Sequence, residues 1–182
     1  MAGTLTVQNL QGPSTGANAN KIIIPSGQTL DVSGGTLTPS AGAVVQAKIH
    51  KWQTATNTSS TSYIDATDSS FSFTPLYDDS LLLISLNMSM NHRETVNGNA
   101  SGCAARINYN GAAVDDYSAN YETYAYLGYD THFKLSRIAS VTSGTTSAVT
   151  IKAQIALYTG TDIRHNANGV FYSYIQVLEI KQ

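Results

Sequence analysis

Val149-Thr150-Ile151-Lys152-Ala153-Gln154-Ile155-Ala156-Leu157 sets an apolar side chain at every second position. Successive side chains of a strand point to opposite faces, so Val149, Ile151, Ala153, Ile155 and Leu157 form one stripe over a core. The pattern recurs on either side. Leu81 to Met90 carries Leu82, Ile84, Leu86, Met88 and Met90 on one face, while Leu81 and Leu83 make its first half apolar on the other. Val170 to Ile180 is apolar on both faces, with Phe171, Ile175 and Val177 against Val170, Tyr172, Tyr174, Leu178 and Ile180. A strand of that kind is covered twice, by the core and by a second layer or subunit. Cys103, Ala105, Ile107 and Tyr109 alternate before an Asn110-Gly111 hairpin signal, with Ala112 to Val114 as the returning strand. Phe133 to Ile138 alternates, as does Phe71-Ser72-Phe73 before Pro75; Ser62 to Ile64 and Ala125 to Tyr129 are shorter runs. In the first strand, Ala43, Val45, Ala47 and Ile49 line the apolar face and Gln46, Lys48 and His50 the polar one, until Trp52.

These runs make about eight strands, and no amphipathic helix accompanies them. The spacing predicts an all-β antiparallel sandwich over residues 43–182, of jelly-roll type. An immunoglobulin-like sandwich is the alternative, but it lacks the usual pair of cysteines, because Cys103 is the only one. Cys103 sits among small and apolar residues and reads as a buried core thiol. Charged residues are only 12% of the chain, with Gly, Ser, Thr and Asn in their place, so the surface is neutral and rich in hydroxyls. Lys+Arg 10 against Asp+Glu 12 argues against nucleic acid as a partner, since phosphate binding needs many cations. No apolar run reaches the length of a membrane span, and the first residues lack the basic and apolar regions of a secretion signal.

Residues 1–42 differ from the rest. Pro13, Pro25 and Pro39 and several glycines separate short apolar bursts: Leu5 and Val7, Ile22 to Ile24, Leu30 and Val32, and Leu37. A single chain buries such stripes poorly and several chains wound on one axis bury them well. The segment therefore reads as an extended oligomeric stalk or docking arm, with a flexible leader as the alternative. The triple Ile argues against a disordered linker.

No catalytic signature is present. His50, His92, His132 and His165 share no metal-binding or catalytic motif, and Asp78-Asp79 and Asp115-Asp116 read as turn acids. No catalytic residue, cofactor or metal ligand is assigned. Residues 115–129 are more suggestive, with tyrosines at 117, 121, 124, 126 and 129 among Asn, Asp, Ser and Glu. Tyr offers a rigid amphipathic contact surface, and its polar neighbours can hydrogen-bond sugar hydroxyls. Tyr117, Asn120, Tyr121 and Tyr124 are the candidate receptor or glycan contacts, although Tyr124, Tyr126 and Tyr129 also suit packing at the core rim or between subunits. Loops 92–101 and 159–168 are further candidates, the latter for Arg164 and His165. Tyr172, Tyr174, Leu178 and Ile180 are the candidate oligomer contacts.

The segment Lys21-Ile-Ile-Ile-Pro-Ser-Gly-Gln-Thr-Leu-Asp-Val-Ser-Gly-Gly-Thr-Leu37 resembles short repeats of tail-fibre-like and other structural proteins of marine and cyanobacterial bacteriophages. Such phrases lead there into a stretch like Ala43-Val44-Val45-Gln46 and then a β-domain. The body, ending in Tyr174-Ile-Gln-Val-Leu-Glu-Ile-Lys181, resembles jelly-roll heads similar to C1q and tumour-necrosis-factor trimers. The resemblance implies a homotrimeric virion protein, made in the host cytoplasm, whose residues 1–42 dock on other tail or capsid proteins and whose head binds host-surface polysaccharide. The short proposed stalk points to a short tail fibre or tail appendage, with a capsid or tail decoration protein as the alternative.

Overall fold

The computed structural model describes residues 13–17, 19, 22–29, 39–93, 100–114, 123–126, 131–166 and 171–182. The chain divides into two compact units, 1–38 and 39–182. In the first unit the described residues form turns and no strand. Pro25 to Gln28 closes a turn with a 3.1 Å backbone hydrogen bond, and Gly27 takes the positive φ of 81° that its third position requires. Ile22, Ile23 and Ile24 are exposed.

The described residues of the second unit form twelve strands. They are β1 (Val44–Trp52), β2 (Thr56–Thr58), β3 (Ile64–Asp65), β4 (Phe71–Phe73), β5 (Leu81–Arg93) and β6 (Ala100–Tyr109), then β7 (Ala112–Ala113), β8 (Thr123–Tyr126), β9 (Thr131–Thr142), β10 (Val149–Thr159), β11 (Asp162–His165) and β12 (Ser173–Ile180). Several are halves of one interrupted strand. β11 and β12 lie end to end along the same edge of β5, and β1 and β2 lie end to end along β12 and β11. β3 and β4 share one edge of β10, and β7 and β8 share one edge of β6. With the halves joined, one antiparallel sheet runs β1/β2, β11/β12, β5, β9 and the other runs β3/β4, β10, β6, β7/β8. The all-β antiparallel reading therefore holds.

One core of buried side chains serves both sheets. Its fully buried members include Leu82, Ile84, Leu86, Met88 and Met90 from β5, Ile107 from β6, Ile151 and Ile155 from β10 and Ile175 from β12. All lie on the faces that sequence alternation assigns inward, and Cys103 is buried with them. Burial of each such side chain contributes roughly 1.5–3 kcal/mol. Asn110 and Gly111 both take positive φ, 49° and 94°, as the tight turn joining β6 to β7 demands.

β1 corrects one expectation. Its apolar positions Ala47 and Ile49 face outward and are exposed, whereas Gln46, Lys48 and His50 turn inward on the same side as Trp52. β1 is the rim of its sheet and β4 the rim of the other, so the core ends between them. Polar side chains close that gap: Gln46 Nε2 donates to the Thr74 carbonyl at 2.8 Å, Lys48 Nζ to the Ser72 carbonyl at 2.7 Å and His50 Nε2 to the Asp68 carbonyl at 2.7 Å. They satisfy rim carbonyls that otherwise face water unpaired.

Candidate functional site

Two ends of the second unit can be distinguished from the pairing. The near end holds Ala43, residues 74–80, the Asn110-Gly111 turn, residues 143–148 and Lys181. The far end holds Arg93, Ala100, Tyr126, Thr131 and Asp162, where the strands joined by residues 94–99 and 127–130 stop.

The near end is closed around Glu179. This carboxylate is on the inward face of β12 and is 0% exposed. It accepts hydrogen bonds from Gln46 Nε2 at 2.7 Å, from the Leu76 N–H at 2.9 Å, from the Tyr77 N–H at 3.0 Å and from Ser80 Oγ at 2.6 Å. Burial pushes its pKa up, but the bonds from Ser80, Leu76, Gln46 and Tyr77 together outweigh this and hold it below the ordinary value. Ser143 Oγ donates to the Tyr77 carbonyl at 2.6 Å, and Tyr109 Oη donates to the Ser143 carbonyl at 2.7 Å. Every group in this cluster has an internal partner, so it is a clamp rather than a reactive centre.

A second polar pin lies where β1 gives way to β2 and β11 to β12. His165 is 0% exposed. Its Nδ1–H donates to the Thr54 carbonyl at 3.1 Å, and its Nε2 accepts from Ser173 Oγ at 2.6 Å, which itself accepts the Ser89 N–H at 3.0 Å. The Trp52 ring lies 5.5 Å away. Both ring nitrogens are thus engaged inside the fold, and the expected contact of His165 with a receptor is replaced by this structural role. Among the described residues the ring's other partner is the Thr54 carbonyl rather than a carboxylate, and both His165 and Ser173 are fully buried. Burial drives the ring's pKa from the ordinary 6.5 down to about 4, against the Thr54 bond, which favours the proton. The unfolded chain therefore takes up a proton in this window that the folded chain refuses. Stability should be full above pH 6.5 and fall as pH drops towards 4, by about 3 kcal/mol in total from this residue. Urea denaturation across pH 4–7 should show the slope in the native chain and a flatter one in His165→Gln.

The outward face of the β5 sheet exposes several large apolar side chains. Residues opposite one another across strands share a face, so the register defines its rows. From the near end these are Val44, Ile180, Leu81 and Thr142; then Ala47, Leu178, Leu83 and Ser140; then Ile49, Gln176, Ser85 and Ile138. None of these side chains is charged. Ile138 is 69% exposed, Val44 56% and Ile49 54%. Charge begins above them, with Lys51, Tyr174, Asn87 and Ser136, then Ser89 and Lys134, then Asn57, Arg164, Asn91 and His132.

Tyr174, Leu178 and Ile180 all stand on this outward face, half-buried by their neighbours, and Tyr172 is exposed beside it. Arg164 stands at its far end in the row of His132 and pairs with Asp162 at 3.3 Å. Tyr124 belongs to β8 at the far end of the other sheet, and Tyr117, Asn120 and Tyr121 lie outside the described residues. Sequence reading missed β11, whose four residues looked like loop, and with it the core residue Ile163, 0% exposed. It also missed Glu179, although its parity with Ile175 and Val177 marks it as inward. Among the described residues no three His, Cys, Asp or Glu side chains converge as a metal site. Compared with known proteins, the chain matches no family model and no curated sequence.

Proposed function

We propose that residues 39–182 are the jelly-roll head of a homotrimeric bacteriophage virion protein, a short tail fibre or tail appendage whose far end binds host-surface polysaccharide. The strand order supports the fold. Counting the joined strands as eight, the pairs first–eighth, second–seventh, third–sixth and fourth–fifth lie side by side. That is the result of folding one long antiparallel ribbon and rolling it into two sheets.

The observation that carries the assembly is the charge-free, apolar lower half of the outward β5 sheet face. A contiguous apolar patch on a sheet is ordinarily covered. Here the occupant is further copies of the same chain, because the surface offers aliphatic and hydroxyl groups but no charge for steering an unlike partner. The work of the head is binding rather than catalysis, and residues 1–38 attach it to other virion proteins. The resemblance of Lys21 to Leu37 to phage structural repeats supports that part.

Light scattering of the full chain should give three times its 19.4 kDa. A single-chain mass overturns the trimer. Gold-labelled antibody on particles from an infected culture should mark the tail. Label on the capsid selects the decoration protein instead, and unlabelled particles overturn the virion assignment.

A further inference from the structure

We propose that the groove beside Phe171 at the far end of the β5 sheet binds an anionic sugar ring, a hexuronate of an acidic polysaccharide; the inference rests on reading the unit as a ligand-binding head. The groove is open, measures about 340 Å³ and is lined by Ser89, His132, Phe133, Lys134 and Phe171. That is the small end of the range for ligand sites and suits one ring.

Three features give it its chemistry. Phe171 is 48% exposed, yet its position is fixed from behind. Its N–H donates to Asn166 Oδ1 at 3.1 Å, and Asn166 is buried with its amide anchored on the Gln53 carbonyl. A buried support fixes the backbone that carries this exposed ring, which lowers the entropy lost on binding. The C–H face of a pyranose is the complement of such a ring. Lys134 supplies a cation, and no described carboxylate pairs with it. Arg164 lies two strands away in the His132 row, paired with Asp162 at 3.3 Å, so Lys134 is the cation of the groove itself. Finally, Asn91 is 1% exposed and approaches His132 Nε2 through its Nδ2 at 3.3 Å, which leaves the His132 Nδ1–H as the donor offered to a hydroxyl. Ser89 contributes a second hydroxyl-sized contact.

Saturation-transfer NMR on the full chain tests this, with tri-galacturonate as the probe and its methyl ester as the uncharged control. The acid should bind and its ring protons should saturate. Phe171→Ala should weaken both probes about tenfold. Lys134→Met keeps the stem and removes the charge, so it should weaken the acid several-fold and leave the ester unchanged. Both side chains are surface groups, and unchanged thermal melts will show that the variants fold. No saturation by the acid, or equal saturation in native chain and Phe171→Ala, overturns the groove. A trimer that fails to bind leaves the head assignment standing without this site, whereas a monomer that binds through Phe171 keeps the site and overturns the trimer.

Discussion

Glu179→Ala should cost the second unit about 3–5 kcal/mol, the largest loss expected from any single polar substitution in the chain. The reason is the number of donors that converge on one buried carboxylate. Removing it strands the Leu76 and Tyr77 N–H groups, the Ser80 hydroxyl and the Gln46 amide in a region closed to water. Each orphaned donor carries the desolvation penalty it had escaped. Nor is the damage confined to one strand, because the same cluster ties residues 76–80 to β12 and, through Ser143, to Tyr109 of the opposite sheet. Glu179→Gln separates shape from charge. It keeps one acceptor oxygen and points an N–H₂ at the Gln46 amide, so an intermediate loss of roughly 1–3 kcal/mol is expected. Guanidinium denaturation at pH 7 measures all three proteins. An alanine variant within about 1 kcal/mol of the native chain would mean that water replaces the carboxylate without penalty.

The second large effect separates association from folding. Leu178 and Ile175 are three residues apart on β12 and point to opposite faces. Ile175 is 0% exposed inside the core, while Leu178 sits outward between Ala47 and Leu83. Ile175→Asp buries an unpaired carboxylate among aliphatic groups and should leave no folded protein. Leu178→Asp should leave the fold intact and turn a trimer into single chains, with contact at each subunit boundary weakened by roughly 10²–10³. Light scattering paired with circular dichroism reads both. A Leu178→Asp chain that keeps the native mass places the interface elsewhere and removes the main support for the covered sheet.

The parts of the fold legible in the sequence are those where period-two alternation meets a core on one side only. Val149 to Leu157 is such a segment, and every inward residue it marks is buried. β5 and β12 were legible twice over, since their second apolar face marks the surface now seen on the outside of the sheet. β1 misleads for a physical reason. At the rim of two sheets the inward direction leads to another backbone rather than to a core, so polar side chains belong inside and Ala47 and Ile49 outside. Only the meeting of the β1 and β4 rims from two different sheets reveals that, and such a contact is not local information. The proposed binding region divides in the same way. Arg164 was legible as a candidate contact in 159–168, but its end of the unit was not, and His165, adjacent in sequence, alternates to the inner face. The groove draws Ser89, His132, Lys134 and Phe171 from three separate segments. None of them carries a motif, and Phe171 looked like one more strand residue.

The chain enters and leaves the second unit side by side: the Gly42 N–H donates to the Lys181 carbonyl at 2.7 Å and the Lys181 N–H to the Ala43 carbonyl at 2.9 Å. Such a unit is a cassette. It can be spliced into a loop of another protein through a pair of adjacent seams, or have its ends joined and be reopened at the Asn110-Gly111 turn, with the sheets left whole. The seam rests on two backbone hydrogen bonds and on the Lys181–Asp79 ion pair at 2.8 Å, all at the near end, so the far end can change in length and sequence without disturbing it.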